Sequence, residues 1–319
     1  MFTPAEFQEA SALVYRALSP TPQSHWPLLS QRAGCEVWVK HENHNPTGAF
    51  KVRGGLVYLG HLKRTKPGLR GVITATTGNH GQSIAFAGQR LGIPVTIVAP
   101  VGNSPEKNAA MRGYGAELIE AGHDFQSARE SANKLAAERG LEMVPSFHPL
   151  LVRGVATYAD ELFRAVPGLD TVFCPIGLGS GICGLVTMRA LRGLRTRIVG
   201  VVAAGAPAYA RSFVAGRVVP SGRVDTLADG VAVRVPDMDA LAVIRHGVER
   251  IVEITEPEIE SAMRTYFTDA HNLAEGAGAL ALAALLKEPG GVRGKRAAVI
   301  LSGANVDRPV FHRVLGAAA

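Results

Sequence analysis

The chain contains few features of secreted or membrane-spanning proteins. It has only three cysteines, Cys35, Cys174 and Cys183, and they form no CxxC pair. An odd number of cysteines without metal-binding spacing is typical of a reducing compartment. The first residues lack the basic and then apolar pattern of a signal peptide, and no apolar run reaches the length of a membrane span. The sequence therefore predicts a cytoplasmic protein with no membrane partner.

Basic clusters and aromatic residues are also scarce. The 34 lysines and arginines give a formal net charge of +7, but they are scattered, and aromatic residues make up only 6% of the chain. A nucleic-acid-binding surface needs a basic patch with interleaved aromatic side chains. We therefore expect no nucleic-acid partner and a preference for small anions.

Strand-like and helix-like segments alternate in two series along the 319 residues. The first series runs from GVITAT (71–76) to LEMVPSF (141–147), and the second from a helix near 152–165 to RAAVILSG (296–303). Such alternation predicts an α/β protein with parallel sheets whose faces are covered by helices.

The strand-like segment CEVWVKHE (35–42) has no sheet near it in the sequence, so we expect it to join the second sheet. One domain is then nested inside the other. The predicted domains are a large one over 1–70 and 148–319 and a small one over 71–147, with a cleft between them.

A lysine lies in an apolar turn, in the segment HNPTGAFKVRGG (44–55). Lys51 stands between Phe50 and Val52, where a helix is expected to begin. A buried lysine must lose its proton or find a partner. A solvated surface lysine is the alternative interpretation.

The segment PIGLGSGICG (175–184) is the strongest anion-binding signal. Glycines at 177, 179 and 181 allow backbone N–H groups to face a phosphate at a helix start. Residues 179–184 also match GxGxxG, the dinucleotide pattern, but the next strand ends without the carboxylate that would hold a ribose. A single phosphate is favoured, and a tight turn without a ligand remains open.

Three further motifs carry polar side chains. In TATTGNHGQ (74–82), hydroxyls and N–H groups at a helix start suit a carboxylate, although a simple helix cap would look the same. Ser302 in LSGANVDR follows a strand, where ligands collect in parallel sheets, but a turn residue is the alternative. The histidines of HENH (41–44) lack the spacing of a helical metal site, so structural or surface roles are favoured.

Together these features are what pyridoxal 5'-phosphate requires, with Lys51 forming the Schiff base. Six segments resemble, in order and spacing, the fold-type II pyridoxal-phosphate enzymes: NPTGAFKVRGG, TTGNHGQ, GLGSG, TLADGVAV, EGAGALALAAL and LSGANVD. The similarity is greatest to the serine/threonine dehydratase (threonine ammonia-lyase) and serine racemase branch, and it covers nearly the whole chain.

The resemblance implies a tryptophan synthase β-like fold with the cofactor in the interdomain cleft. Lys51 would hold the cofactor and act as the base at the substrate Cα, and Thr77 is the second catalytic candidate. The implied cofactor-binding residues are Lys51, Phe50, Asn79, Gly177, Leu178, Gly179, Ser180, Gly181, Glu275 and Ser302. The implied substrate-carboxylate residues are Thr76, Thr77, Gly78, Asn79 and His80.

The expected reaction is elimination of water from a β-hydroxy amino acid such as L-threonine or L-serine, which gives a 2-oxo acid and ammonia. Open alternatives are an amino-acid racemase and a dehydratase of 3-hydroxyaspartate, phenylserine or a hydroxyectoine-derived amino acid. An NAD-dependent dehydrogenase and a non-catalytic binding protein for small anions are hypotheses from other classes.

Three smaller expectations complete the sequence-based prediction. We expect a homodimer. No metal is expected, because racemase-like members carry acidic ligands where this chain has Val202 and Ala208. Arg153 could meet a second substrate carboxylate, but a surface ion pair is favoured.

Overall fold

The computed structural model describes residues 1–288, 292 and 295–316. The chain forms two compact units. Unit 1 consists of Met1–Pro4, Pro20–Phe50 and Ala156–Ala319, and unit 2 of Ala5–Ser19 and Lys51–Val155. The boundaries predicted from the sequence, 1–70 with 148–319 and 71–147, stay a prediction. The second compact unit contains, in addition to 71–147, residues 5–19, 51–70 and 148–155.

Helices and strands alternate along most of the described chain. Up to residue 165 they are α1 Pro4–Tyr15, β1 Gln23–His25, α2 Pro27–Ala33, β2 Glu36–His41, α3 Val52–Thr65, β3 Val72–Ala75, α4 Asn79–Leu91, β4 Val95–Ala99, α5 Pro105–Gly113, β5 Glu117–Glu120, α6 Phe125–Arg139, β6 Glu142–Met143 and α7 Pro149–Ala165. The later elements are β7 Thr171–Pro175, α8 Ser180–Leu191, β8 Arg197–Ala203, α9 Ala208–Ala215, α10 Met238–Gly247, β9 Arg250–Ile254, α11 Glu256–Ala270, α12 Gly276–Lys287, β10 Arg296–Leu301 and α13 Arg308–Gly316.

Unit 1 is built on a six-stranded sheet with the order β1-β2-β10-β7-β8-β9. The edge strand β1 runs antiparallel to β2, and the other neighbours are parallel. Strand β2 pairs with β10 from Glu36↔Arg296 to His41↔Leu301. The prediction that the early strand at 35–42 joins the second sheet is therefore confirmed.

Unit 2 contains a four-stranded parallel sheet with the order β5-β4-β3-β6. Every residue of β3 and β4 is buried. This is expected of central parallel strands with helices on both faces. The predicted class, α/β with two parallel-sheet units, is confirmed.

The helix starts follow their sequence signals. Ser104 caps α5 by accepting a hydrogen bond from the Lys107 N–H at 3.2 Å, and Thr255 forms a capping box with Glu258 at the start of α11. Each such cap satisfies N–H groups that the helix itself leaves unpaired. Among the described residues, no helix has the length and apolar character needed to cross a membrane.

Candidate active site

Lys51 stands at the start of α3 in unit 2, and its side chain is partly buried. Its carbonyl oxygen accepts hydrogen bonds from the N–H groups of Gly54 (3.0 Å) and Gly55 (3.2 Å) and from the Ser83 hydroxyl of α4 (2.6 Å). These three donors fix the backbone that carries the lysine. A Cβ on Gly55 would lie 2.4 Å from Ser83 Oγ, so α3 and α4 approach this closely only because residue 55 is glycine.

The threonine-rich motif forms the junction between β3 and α4 in the same unit. Thr76 is buried, and its hydroxyl oxygen accepts a hydrogen bond from the Gly78 N–H at 3.1 Å. Thr77 and Asn79 are partly buried, and α4 begins at Asn79. The orphan N–H groups of the first turn and the helix dipole favour an anion at this position.

His80, in the first turn of α4, is a buried histidine with an unused polar atom. Its Nε2 has no hydrogen-bond partner among the described residues. Burial, and secondarily the charge of Lys51, lower the pKa of His80 to about 3. The ring is therefore neutral near pH 7. Its burial was not evident from the sequence, which showed only its place after Asn79.

The glycine-rich motif in unit 1 connects β7 to α8. A Cβ on Gly177 would lie 2.4 Å from the Gly230 carbonyl oxygen. Gly179 has φ +104°, and a Cβ there would lie 2.7 Å from the Cβ of Ala240. Neither position accepts a side chain, and Ser180 begins the helix without an acidic residue in the first turn. This geometry leaves backbone N–H groups for an anion.

Phe50, Glu275 and Ser302 lie together in unit 1. The Phe50 N–H donates to the Ser302 carbonyl at 3.1 Å, and the Glu275 N–H donates to the Gly303 carbonyl at 3.1 Å. All three residues thus meet where β10 ends, and Ser302 and Glu275 are buried. A Cβ on Gly181 would lie 3.6 Å from the Phe50 ring, so the start of α8 is also close to Phe50.

The alternative candidates have structural partners. His41 is buried, its Nε2 accepts from Trp26 Nε1 at 3.0 Å, and its ring stacks on His44 with centroids 5.0 Å apart. Arg153 forms an ion pair with Glu6 at 2.5 Å, as the favoured interpretation predicted. No group of three or more possible metal-binding side chains occurs in residues 1–288, 292 and 295–316.

Comparison with known proteins gives a consistent family assignment. A family model described as pyridoxal-phosphate dependent enzyme matches residues 14–303. L-threonine ammonia-lyase of Geobacter sulfurreducens is 36% identical over 301 residues, 94% of this chain and 75% of that protein. The catabolic L-threonine dehydratase TdcB of Staphylococcus aureus is 33% identical over 307 residues, 95% of this chain and 88% of that protein.

Solved structures agree with the sequence relatives. The processed form of threonine deaminase isoform 2 from Solanum lycopersicum superposes with a TM-score of 0.91 at 30% identity, covering 99% of this chain and 95% of that one. Maize serine racemase superposes with a TM-score of 0.90 at 25% identity, covering 97% and 95%. The chain therefore belongs to the pyridoxal-phosphate-dependent enzymes of fold type II, in their serine/threonine dehydratase and serine racemase branch.

Proposed function

We propose that this chain is a pyridoxal-phosphate-dependent ammonia-lyase that converts L-threonine or L-serine to a 2-oxo acid and ammonia. One observation carries the assignment: the backbone of Lys51 accepts a hydrogen bond at 2.6 Å from Ser83 of α4, the helix whose start forms part of the carboxylate loop 76–80. Relatives named L-threonine ammonia-lyase and L-threonine dehydratase support this substrate class. Family membership gives no support to the NAD-dependent and non-catalytic hypotheses.

The residues present fit the groups of the cofactor. A Cβ on Gly177 or Gly179 would meet Gly230 or Ala240, so this loop keeps a bare backbone, and the N–H groups at the start of α8 suit a phosphate. The buried hydroxyl-bearing Ser302 would meet the pyridine nitrogen, and Asn79 the ring hydroxyl. Lys51 supplies the amine that would hold the aldehyde carbon.

Two parts of unit 2 would act on the substrate. Thr76, Thr77 and the N–H groups at the start of α4 would hold the carboxylate and orient Cα. The cofactor, when bound, supplies delocalisation of the negative charge that develops at Cα. The neutral amine of Lys51 would remove the Cα proton.

Elimination then proceeds with simple atom balance. The electron pair from the Cα–H bond would form a Cα–Cβ double bond, and the Cβ hydroxyl would leave as water with the proton that Lys51 took from Cα. The released enamine takes up water and gives the 2-oxo acid and ammonia. No proton transfer is assigned to His80, because a ring with a pKa of about 3 is a weak base near pH 7. It would instead orient the carboxylate through its unused nitrogen.

At the pyridine nitrogen, Ser302 would favour prompt elimination over a long-lived carbanion. A hydroxyl cannot hold a protonated pyridine nitrogen as a carboxylate can, because it carries no charge to pair with it. Less negative charge would then be withdrawn from Cα, and prompt loss of the β-hydroxyl would be favoured over a long-lived carbanion.

Changing Lys51 to Ala tests the proposal. We expect loss of the visible absorbance of the bound cofactor and, because the base is absent, a fall in 2-oxo acid formation of at least about 10²–10⁴-fold. Lys134→Ala is the control, because Lys134 lies on the same unit with an exposed side chain 3.9 Å from Glu138. A Lys51→Ala protein that keeps both the absorbance and the activity would overturn the assignment.

The substrate itself is tested by incubating the holoenzyme with L-threonine, L-serine, 3-hydroxyaspartate, phenylserine and a hydroxyectoine-derived amino acid, and measuring ammonia. We expect turnover of the first two to exceed the others. A homodimer in the cytoplasm completes the proposal, and sedimentation equilibrium of the holoenzyme checks the oligomeric state.

A further inference from the structure

Tyr209 of α9 forms a hydrogen bond to the backbone of the glycine-rich loop 177–181. Its hydroxyl donates to the Leu178 carbonyl oxygen at 2.9 Å and accepts from the Asp237 N–H at 3.1 Å. The side chain is only 1% exposed. Burial raises the pKa of Tyr209 well above its ordinary value, so the hydroxyl stays protonated and remains a donor. Both hydrogen bonds lie in a low-dielectric interior, where they are strong and well oriented.

Fixing the Leu178 carbonyl also fixes the next N–H group. In a planar trans peptide the C=O and N–H bonds point in opposite directions, and no cis peptide occurs among the described residues. With the Leu178 oxygen directed toward Tyr209, the Gly179 N–H is directed away from it. Gly179 is the residue that precedes the first turn of α8.

The same side of the loop is closed to ligands. An added Cβ on Gly179 would lie 2.7 Å from Ala240 Cβ and 3.4 Å from Tyr209 Oη. Helices α9 and α10 therefore occupy this side. The Gly179 N–H serves the opposite side, where the orphan N–H groups of α8 begin.

We propose that Tyr209 is a positioning residue for the cofactor phosphate: through the Leu178 carbonyl it aims the Gly179 N–H into the phosphate cradle. This inference rests on the proposed function, in which loop 177–181 holds the phosphate. Tyr209 itself touches no reacting atom. Its contribution is to preorganise a donor, so that the donor need not be reoriented when the phosphate binds.

The test uses Tyr209→Phe with Tyr266→Phe as the matched control. Tyr266 is also a fully buried tyrosine of unit 1, but its hydroxyl has no hydrogen-bond partner among the described residues. Cofactor is removed from each purified protein, which is then titrated with pyridoxal 5'-phosphate and, separately, with pyridoxal. The phosphorus-31 spectrum of the reconstituted holoenzyme is recorded as well.

In Tyr209→Phe the Gly179 N–H is no longer held in its orientation toward the phosphate. We therefore expect pyridoxal 5'-phosphate to bind this variant about two- to tenfold more weakly. Pyridoxal, which has no phosphate, should bind this variant as it binds the unsubstituted protein. The phosphorus-31 resonance should shift in Tyr209→Phe and stay unchanged in Tyr266→Phe.

Two results would overturn the inference: equal weakening for pyridoxal and pyridoxal 5'-phosphate in Tyr209→Phe, or unchanged binding of both together with an unchanged spectrum. Failure of the underlying proposal looks different, because the unsubstituted protein would then bind pyridoxal as tightly as pyridoxal 5'-phosphate.

Discussion

At the scale of single residues, we expect Thr77 to influence the balance between dehydration and racemisation. A racemase needs a second acid/base group on the face of the cofactor opposite Lys51. Threonine has a hydroxyl, but its β-branch restricts χ1. Few orientations of the side chain would therefore direct the hydroxyl toward the substrate Cα. Structures similar to this chain include maize serine racemase at 25% identity and an aspartate racemase at 26% identity. The fold is therefore compatible with racemisation as well as with dehydration.

We expect the unsubstituted holoenzyme to form 2-oxo acid from L-serine faster than D-serine, and Thr77→Ser to raise the share of D-serine. Serine keeps the hydroxyl and gains rotamer freedom. Chiral chromatography and a keto-acid assay on the same samples give both rates. Thr65→Ser, an exposed position at the end of α3, is the control. Faster accumulation of D-serine than of keto acid in the unsubstituted protein would contradict the prediction.

Some site residues were visible in the sequence because their signal is local. Lys51, the loop 76–80 and the glycines at 177, 179 and 181 all lie at strand–helix junctions that periodicity and glycine placement indicate. Their assigned roles stay predictions. Ser83 and Tyr209 were missed, because their importance lies in hydrogen bonds to carbonyls 32 and 31 residues away, which no local pattern encodes.

At the scale of elements, the junction of β7 with α8 depends on glycines, and Gly179 is the one with a left-handed φ. Gly179→Ala would force an alanine to adopt φ +104°. Its Cβ would also lie 2.7 Å from the Cβ of Ala240. We expect a lower melting temperature and weaker cofactor binding, since strain and overpacking together cost about 1–3 kcal/mol or more.

Gly193→Ala separates the two causes. Gly193 also has a left-handed φ, +62°, but an added Cβ there has nothing within 4 Å. We expect it to lower the melting temperature through backbone strain alone and to leave cofactor binding unchanged. Equal effects of the two substitutions on cofactor binding, measured by titration, would show that the Ala240 contact is irrelevant to the loop.

The elements that the sequence predicted best are the buried parallel strands. Strands β2, β3 and β10 lie within the segments 35–42, 71–76 and 296–303 that predicted them, and their ends differ by at most two residues. Helices α9 and α10 were not predicted. They are only 8 and 10 residues long, and α9 follows a Gly-Ala-Pro segment that reads as a turn. Packing against the rest of unit 1, including α9 on α10, stabilises them more than their own propensity does.

At the scale of the whole molecule, two buried histidines make stability dependent on pH. Burial, then the charge of His44, lowers the pKa of His41 to about 4, and the pKa of His80 is about 3. An unfolded histidine titrates near about 6.5. Between these pKa values the unfolded chain binds more protons than the folded protein. The contribution of the two histidines to the free energy of unfolding is therefore fully present above about pH 6.5 and falls as the pH is lowered.

We therefore expect the urea midpoint to decrease from pH 7 to pH 5, each histidine contributing up to about 1.4 kcal/mol per pH unit. His41→Gln keeps an acceptor for the Trp26 N–H and removes one titrating ring, so its midpoint should decrease less over the same interval. A midpoint that stays constant or increases as the pH is lowered would contradict the assignment of neutral, buried rings.

The pairing of β2 with β10 has a consequence for biosynthesis. The paired residues Glu36 and Arg296 are 260 positions apart, and β10 stands between β2 and β7 in the sheet. Every segment of unit 2 leaves the ribosome before residue 156. Its sheet can therefore form while β2 still lacks its partner β10 and exposes an open strand edge, a state prone to aggregation. In nascent chains stalled near residue 200, limited proteolysis should spare 51–155 and cleave within 20–50. We therefore expect early chaperone binding to protect the segment that contains β1 and β2.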